Sequence, residues 1–482
     1  MNLDNRKNIA NNLVWRFMER VLAQLVAFIV SIVLARLLEP SVFGDVALII
    51  VFTAILQVFV DSGLGNSLIQ KKDADDLDFT TVFYTNIVFC GVLYTCLFFL
   101  APIIARFYNN ETLVPYIRVL GLTVLISGVK NIQQAYVSRK MLFRKFFFST
   151  LAGTVLAGII GILLAMNGFG IWALIAQHVI NVLVDTIVLW FTVRWRPIWA
   201  FSFKRLRNLF SYGWKILVSG LIDVSYNELR QLIIGKYYSS EDLAFYNQGQ
   251  RIPNLIISNI NTSIDSVLFP SMSNHNDDRE RVKQMTKRSI KTSVYIMAPL
   301  MMGLAFISEP LVRLILKEPW LPCVPYLRIC CITFMFYPIH TSNLNAIKAM
   351  GRSDSYLRLE IIKKSVGLVV ILIMMRISVM AIAYSMLFTS FFGQIVNSWP
   401  NRKLIGYGYL EQLRDIFPII LLAVVMGGSV YLLSYLGLPD IITILLQIVL
   451  GAGLYILGSV LFRIDSFFYV KDTICSYFKK EC

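Results

Sequence analysis

FTTVFYTNIVFCGVLYTCLFFLAPII, residues 79–104, runs for twenty-six residues without a charged side chain. As an α-helix it would measure about 39 Å, longer than the roughly 30 Å of hydrocarbon in a bilayer. A helix satisfies its own backbone hydrogen bonds, so such a segment is stable in lipid and insoluble in water. The reading that decides the fold is therefore a membrane-spanning helix.

Comparable stretches recur on both sides of it. Fourteen spans are expected, at 14–36, 43–67, 79–104, 113–136, 147–166, 171–193, 212–235, 244–270, 289–315, 324–347, 361–378, 379–399, 416–436 and 441–461. The seventh and eighth carry the most polar residues. Composition agrees: of 482 residues 57% are hydrophobic and 15% charged, against roughly 25% charged in soluble domains. Mean hydropathy is +0.65. The first stretch passes Glu19 and Arg20 without a small-residue cleavage pattern, and is read as a retained span, not a signal peptide. The expected class is an all-α polytopic membrane protein.

The net charge of +16 would suggest nucleic acid in a soluble protein. Here its placement matters more. With the N-terminus inside, alternate loops put Lys71, Lys72, Arg139, Lys140, Arg205, Arg207, Arg279, Arg281 and Lys283 in the cytoplasm, and the opposite loops keep little beyond Arg106, Lys236, Lys317 and Arg376. That asymmetry is the positive-inside pattern and predicts both termini in the cytoplasm. Anionic lipid headgroups are the expected partner of these charges; nucleic acid is not. Seven cysteines without a C-x-x-C pair point to neither a metal nor a disulfide framework. Gly235-Lys236 has Arg230 where the first glycine of a P-loop belongs, so no ATPase is expected. Energy, if used, then comes from an ion gradient, the membrane potential or the substrate's own gradient.

Internal repetition sets the organisation. Residues 36–44 are matched about 200 positions on by 236–244, and 170–175 by 378–383. Two six-span halves in parallel orientation follow, because six crossings return the chain to its starting side. The expected divisions are 1–200, 201–403 and a C-terminal 404–482 with two further helices. Paired halves of this kind form two lobes about a central cavity.

Polar residues within spans are costly and tend to face a bundle interior or an aqueous path. In the eighth span Asn247, Arg251, Asn254, Ser258, Asn261 and Asp265 recur at intervals of four and three, which places them on one helical stripe. The seventh span repeats this with Lys215, Ser219, Asp223, Tyr226 and Arg230, the first has Arg16, Glu19 and Arg20, the second Gln57 and Asp61, and the fourth Lys130. Arg16, Arg20, Lys130, Lys215, Arg230, Asn247, Arg251, Asn254 and Asn261 are the candidate substrate contacts. Asp61, Asp223 and Asp265 are the candidate ion-coupling carboxylates. A second reading has Arg16 and Arg20 snorkelling to the headgroups, and Asp185 and Glu309 paired locally. Guanidinium groups match phosphate oxygens and the amides match hydroxyls, so phosphate plus sugar is the simplest joint ligand.

Leu34–Phe52, Asp61–Gln70, Gly168–Ala176, Gln231–Gln248, Val267–Ser273 and Gly351–Lys364 together resemble the polysaccharide flippases of the Wzx type, WzxC-like branch, in the multidrug/oligosaccharidyl-lipid/polysaccharide exporter superfamily. The resemblance spans about the first 400 residues and fades in the last two spans. It implies a fourteen-span, two-lobed protein of the bacterial inner membrane, working as a monomer. Its activity would be to move an undecaprenyl-pyrophosphate-linked oligosaccharide to the outer leaflet for lipopolysaccharide, capsule or exopolysaccharide synthesis. Alternating access, coupling to H⁺ or Na⁺ without a bound cofactor, and contact with a polysaccharide polymerase or other assembly proteins are implied too. The alternatives are an ion-coupled drug or metabolite antiporter of the same superfamily, which would favour an acidic cavity, and a membrane enzyme, which would need a larger outer loop.

Overall fold

The computed structural model describes residues 3–479 apart from Gly63, Lys72 and Asn276. The side chains of residues 3–14, Arg16, Phe17, Arg20, Ser62, Asn66, Gln70, Tyr212, Ile474 and 477–479 lie outside the described set. The described residues form helices and no strands.

The chain divides into two compact units, Met1–Ala244 and Phe245–Cys482. The first holds α1 (Leu3–Leu37), α2 (Pro40–Ser62), the short α3 (Gly65–Gln70), α4 (Asp76–Phe107), α5 (Leu113–Arg139), α6 (Phe143–Met166), α7 (Ile171–Thr192) and α8 (Phe203–Tyr237). α9 (Ser240–Ser273) begins in the first unit and continues in the second. The second adds α10 (Arg279–Leu316), α11 (Val324–Met335), α12 (Tyr337–Ala349), α13 (Ser353–Met374), α14 (Val379–Leu404), α15 (Tyr409–Tyr431), α16 (Asp440–Leu461) and α17 (Asp465–Lys479).

All fourteen expected stretches fall on helices, with α2 and α3 sharing the second and α11 and α12 the tenth. The break comes at Phe336, two residues before Pro338, which has no N–H to give an uninterrupted helix. Among the described residues ten helical segments are long and apolar enough to cross a membrane by length and composition. The stretches that miss that standard lie on α1, α8, α9 and α13. α8 and α9 have 35 and 34 residues; their length suffices and their polar stripes lower the hydropathy. Large apolar side chains such as Phe99, Ile103, Val449, Leu457 and Leu461 stand exposed on the helix faces. In water such faces would aggregate, and in a bilayer they meet lipid.

In the first unit α6 lies between α1 and α7, while α5 packs on α4, α7 and α2. Contact between α6 and α7 is close at Gly153, where an added Cβ would stand 2.9 Å from the Asn181 carbonyl oxygen. The start of α4 is fixed by a reciprocal cap: the Asp78 N–H donates to Asp75 and the Asp75 N–H to Asp78, at 3.0 and 3.2 Å. The fully buried Asp78 carboxylate also takes Lys71 at 2.6 Å and Arg205 at 3.3 Å, and Arg205 pairs with Asp75 as well.

Arg205 belongs to α8, which also packs on α2; Ser67 of α3 donates to the Leu209 carbonyl at 3.2 Å. These contacts seat α8 in the first unit, so the compact units part at residues 244/245 and not at 200/201. The expected boundary at 200/201 concerned sequence repetition, a property distinct from compactness.

In the second unit α10 is central, packed against α11, α12, α15 and α16 and burying Val294, Met297, Ala298 and Met301. α14 packs on α11, α12 and α13. The described cysteines are free thiols.

Candidate functional site

Four helices of the first unit converge on a polar cluster. The Lys130 ammonium of α5 stands 3.2 Å from an Asp185 carboxylate oxygen of α7. Next to Lys130 in the chain, Asn131 donates to Asp61 of α2 at 3.2 Å, and Gln57, one turn from Asp61, donates to the same oxygen at 2.9 Å. Asn86 of α4 donates to Asn131 at 3.4 Å. Asp61 is exposed and Asp185 buried, with the second Asp185 oxygen left without a hydrogen-bond partner among the described residues. Lys130 is therefore a cation with a fixed acidic partner in this structure.

The other first-unit candidates lie on α8: Lys215 and Asp223 are exposed and Arg230 half-buried. Asp223, Tyr226 and Arg230 all have interaction partners. The side chains of Arg16 and Arg20 lie outside the described residues.

In the second unit the α9 stripe is open along much of its length. Arg251, Asn247 and Asn261 are half-buried, Asn254 and Asp265 exposed. Among the described residues no carboxylate comes within ion-pair distance of Arg251, and the buried Asn261 side-chain oxygen has no partner. Asp265 accepts a hydrogen bond from Asn345 of α12 at 2.7 Å. Asp265 lies fourteen residues along α9 from Arg251, about 21 Å, beyond ion-pair reach.

Sequence reasoning missed a second polar layer. Ser390, Gln394, Asn397 and Asn401 stand on one stripe of α14, the last three fully buried. Asn397 bonds His340 at 3.0 Å, and Asn401 donates to Asn343 at 2.7 Å, which exchanges two bonds with Gln412 of α15 at 2.8 and 2.9 Å. The interval pattern of four, three and four was the available signal, identical in kind to that of α9. His340 is thus a hydrogen-bonded core residue. Glu309 pairs with Arg313 at 3.1 Å and Arg328 at 3.7 Å, the local pairing expected of it.

Residues 33–325 match the model of a family described as "Polysaccharide biosynthesis protein". The chain is 27% identical over 309 residues to the teichuronic acid biosynthesis protein TuaB of Bacillus subtilis, covering 63% of each. It is 23% identical over 337 residues to the lipopolysaccharide biosynthesis protein WzxC of Escherichia coli, covering 69% of this chain and 68% of that one. The match thus spans somewhat under two thirds of the first relative's length. Among solved structures, the lipid II flippase MurJ in an inward closed conformation superposes with a TM-score of 0.78 at 14% identity, covering 94% of this chain and 99% of that one. An inward-facing multidrug resistance MATE transporter of the MOP superfamily gives 0.63 at 14% identity, covering 81% and 98%. At these identities the likeness is one of fold: an all-α transporter fold.

Proposed function

Since the chain belongs to the polysaccharide biosynthesis protein family, we propose that it is a flippase that carries an undecaprenyl-pyrophosphate-linked oligosaccharide from the cytoplasmic to the outer leaflet of the bacterial inner membrane. One observation carries the ligand class: Arg251 stands half-buried on α9 with no carboxylate in ion-pair reach among the described residues, flanked along its stripe by Asn247, Asn254 and Asn261. A guanidinium in that setting favours a phosphate-bearing group, and neighbouring amides favour sugar hydroxyls. The likeness to MurJ supports the same reading, and the names of TuaB and WzxC support a surface polysaccharide as destination.

The rest of the reading follows the sequence. The chain crosses fourteen times with both termini in the cytoplasm, in repeat halves 1–200 and 201–403 followed by 404–482. It works by alternating access as a monomer, delivers to the assembly proteins outside, and draws on an H⁺ or Na⁺ gradient through Asp61, Asp223 or Asp265. In the first unit Arg16, Arg20, Lys215 and Arg230 are the remaining substrate-contact candidates. An antiporter of cationic drugs is the weaker alternative, because Arg251 and Lys215 would repel the cargo.

The test is a deletion strain. Lipid-linked oligosaccharide should accumulate on the cytoplasmic face and surface polysaccharide should fall, both restored by the gene on a plasmid. Normal surface polysaccharide in the deletion strain would overturn the proposal.

A further inference from the structure

The ion-coupling part of the proposed function names three carboxylates without choosing among them, and the structure narrows the choice. Asp61 and Asp185 bring two negative charges to the cluster in the first unit, and Lys130 brings one positive charge. Lys130 lies within electrostatic range of Asp61 as well as in contact with Asp185. One negative charge is left over in the interior of a membrane protein, where an uncompensated charge is costly.

Among the described residues, which leave out the side chains of Arg16 and Arg20 on α1, the neighbouring elements do not cancel it. α4 offers the Asn86 amide, already bonded to Asn131, and the Cys90 thiol near Asp61. α6 meets Asp185 with Gly153, which has no side chain. On α1, Glu19 accepts a bond from Thr150 of α6 at 3.2 Å and adds no positive charge. On α8, Asp223 stands at about the height of Asp61, counted from the contact of Gly235 with Leu48 at 1.5 Å per residue, and is itself acidic. The second Asp185 oxygen, on a side chain more than nine-tenths buried, is unpartnered among the described residues. A buried carboxylate oxygen in that state can accept one further donor or cation.

We infer that Asp61, Lys130 and Asp185 form a site for one monovalent cation, in which Lys130 and Asp185 set the charge deficit and the exposed Asp61 receives the ion. The ligand is a proton or Na⁺. This reassigns Lys130 from substrate contact to ion coupling and adds Asp185, which local pairing alone would leave structural. The inference rests on the gradient-driven part of the proposed function and selects the first unit for it. In the second unit the fourth and sixth spans meet through His340 and Asn397, so among the described residues the Lys–Asp pair that adjusts the charge has no counterpart there.

The test uses purified full-length protein in nanodiscs, with thermal unfolding followed in NaCl against choline chloride at fixed pH, and in choline across pH 5–8. A shift with NaCl identifies Na⁺; a shift with pH alone, lost in Asp61→Asn, identifies the proton. Asp185→Asn should lose the response, because Lys130 then neutralises Asp61. Lys130→Met should keep it with about tenfold tighter apparent affinity, because the deficit rises to two charges.

The decisive variant is Lys130→Met/Asp185→Asn, which restores a deficit of one and should restore the response even if Asp185→Asn alone folds poorly. A wild type indifferent to both ions, or a double variant that stays silent where the wild type responds, overturns the inference. Either outcome leaves the flippase reading intact, since that fails only if the deletion strain makes normal polysaccharide.

Discussion

Asn345 donates its side-chain N–H to Asp265 across 2.7 Å, and the bond is a second copy of one in the other unit, where Asn131 donates to Asp61 at 3.2 Å. In each case an exposed aspartate on the helix after the matched turn, α2 or α9, is tied to a buried asparagine on the helix of the fourth expected span of its half, α5 or α12. The same kind of interhelical bond thus occurs in both units.

The repeated bond should be energetically real. A hydrogen bond to a charged acceptor is worth about 1.5–3 kcal/mol, less where the acceptor is exposed. A double-mutant cycle on Asn345→Ala and Asp265→Ala, read by thermal unfolding of purified protein, should therefore give a coupling of about 1 kcal/mol. A coupling of zero would mean that the two side chains are adjacent without acting on each other.

Arg251 should be needed for transport and not for folding. Its alanine variant should abolish surface polysaccharide at unchanged membrane abundance, because removing an unpaired half-buried charge relieves a cost. Arg251→Lys should recover part of the activity, since a point charge cannot reproduce the bidentate fork. Immunoblot and polysaccharide measured in the same cells separate the outcomes: loss of protein along with activity would make Arg251 structural, and normal polysaccharide would remove it from the site.

The helices were legible because hydrophobic length is a one-dimensional signal. Residues 79–104 announce α4 whatever surrounds them, and the stripes of α8 and α9 follow from period alone. Partners were not legible. Nothing in the sequence places Lys130 beside Asp185, fifty-five positions away, because that depends on how α5 and α7 pack. Nor does it reveal that α8 is seated on the first unit through Arg205 and Asp78, since repetition records ancestry and packing records present contact. The α14 stripe was in principle readable, but Gln394, Asn397 and Asn401 carry no charge and sit among enough apolar residues to keep the segment a credible span.

Orientation is set by the basic loops. Single cysteines at positions 205 and 281, introduced into a cysteine-free variant, should react with a membrane-impermeant maleimide only after the cells are opened. Labelling of either in intact spheroplasts would invert the topology, and with it the assignment of which leaflet supplies the substrate.

The Asp75–Arg205 pair should be insensitive to pH in the physiological range, and the corner it forms with Asp78 and Lys71 should depend on one acid far more than on the other. The hydrogen bond from Arg205 holds the Asp75 carboxyl down at about 2. Because this lies below the unfolded value of about 3.9, whatever the pair contributes is present above about pH 4 and disappears as pH falls towards 2. Unfolding midpoints between pH 5 and 8 should thus carry no slope from Asp75. Its carboxylate is also exposed, so water and salt screen the pair, and Asp75→Asn should move the midpoint little. Asp78 differs: its carboxylate is fully buried and is the shared partner of Lys71 and Arg205. Replacing it by Asn leaves two partly exposed cations facing a buried uncharged amide, a loss larger than that of Asp75→Asn. Thermal unfolding of the two single variants beside the wild type decides the matter, and an Asp75→Asn loss equal to or above that of Asp78→Asn would show that burial does not govern this corner.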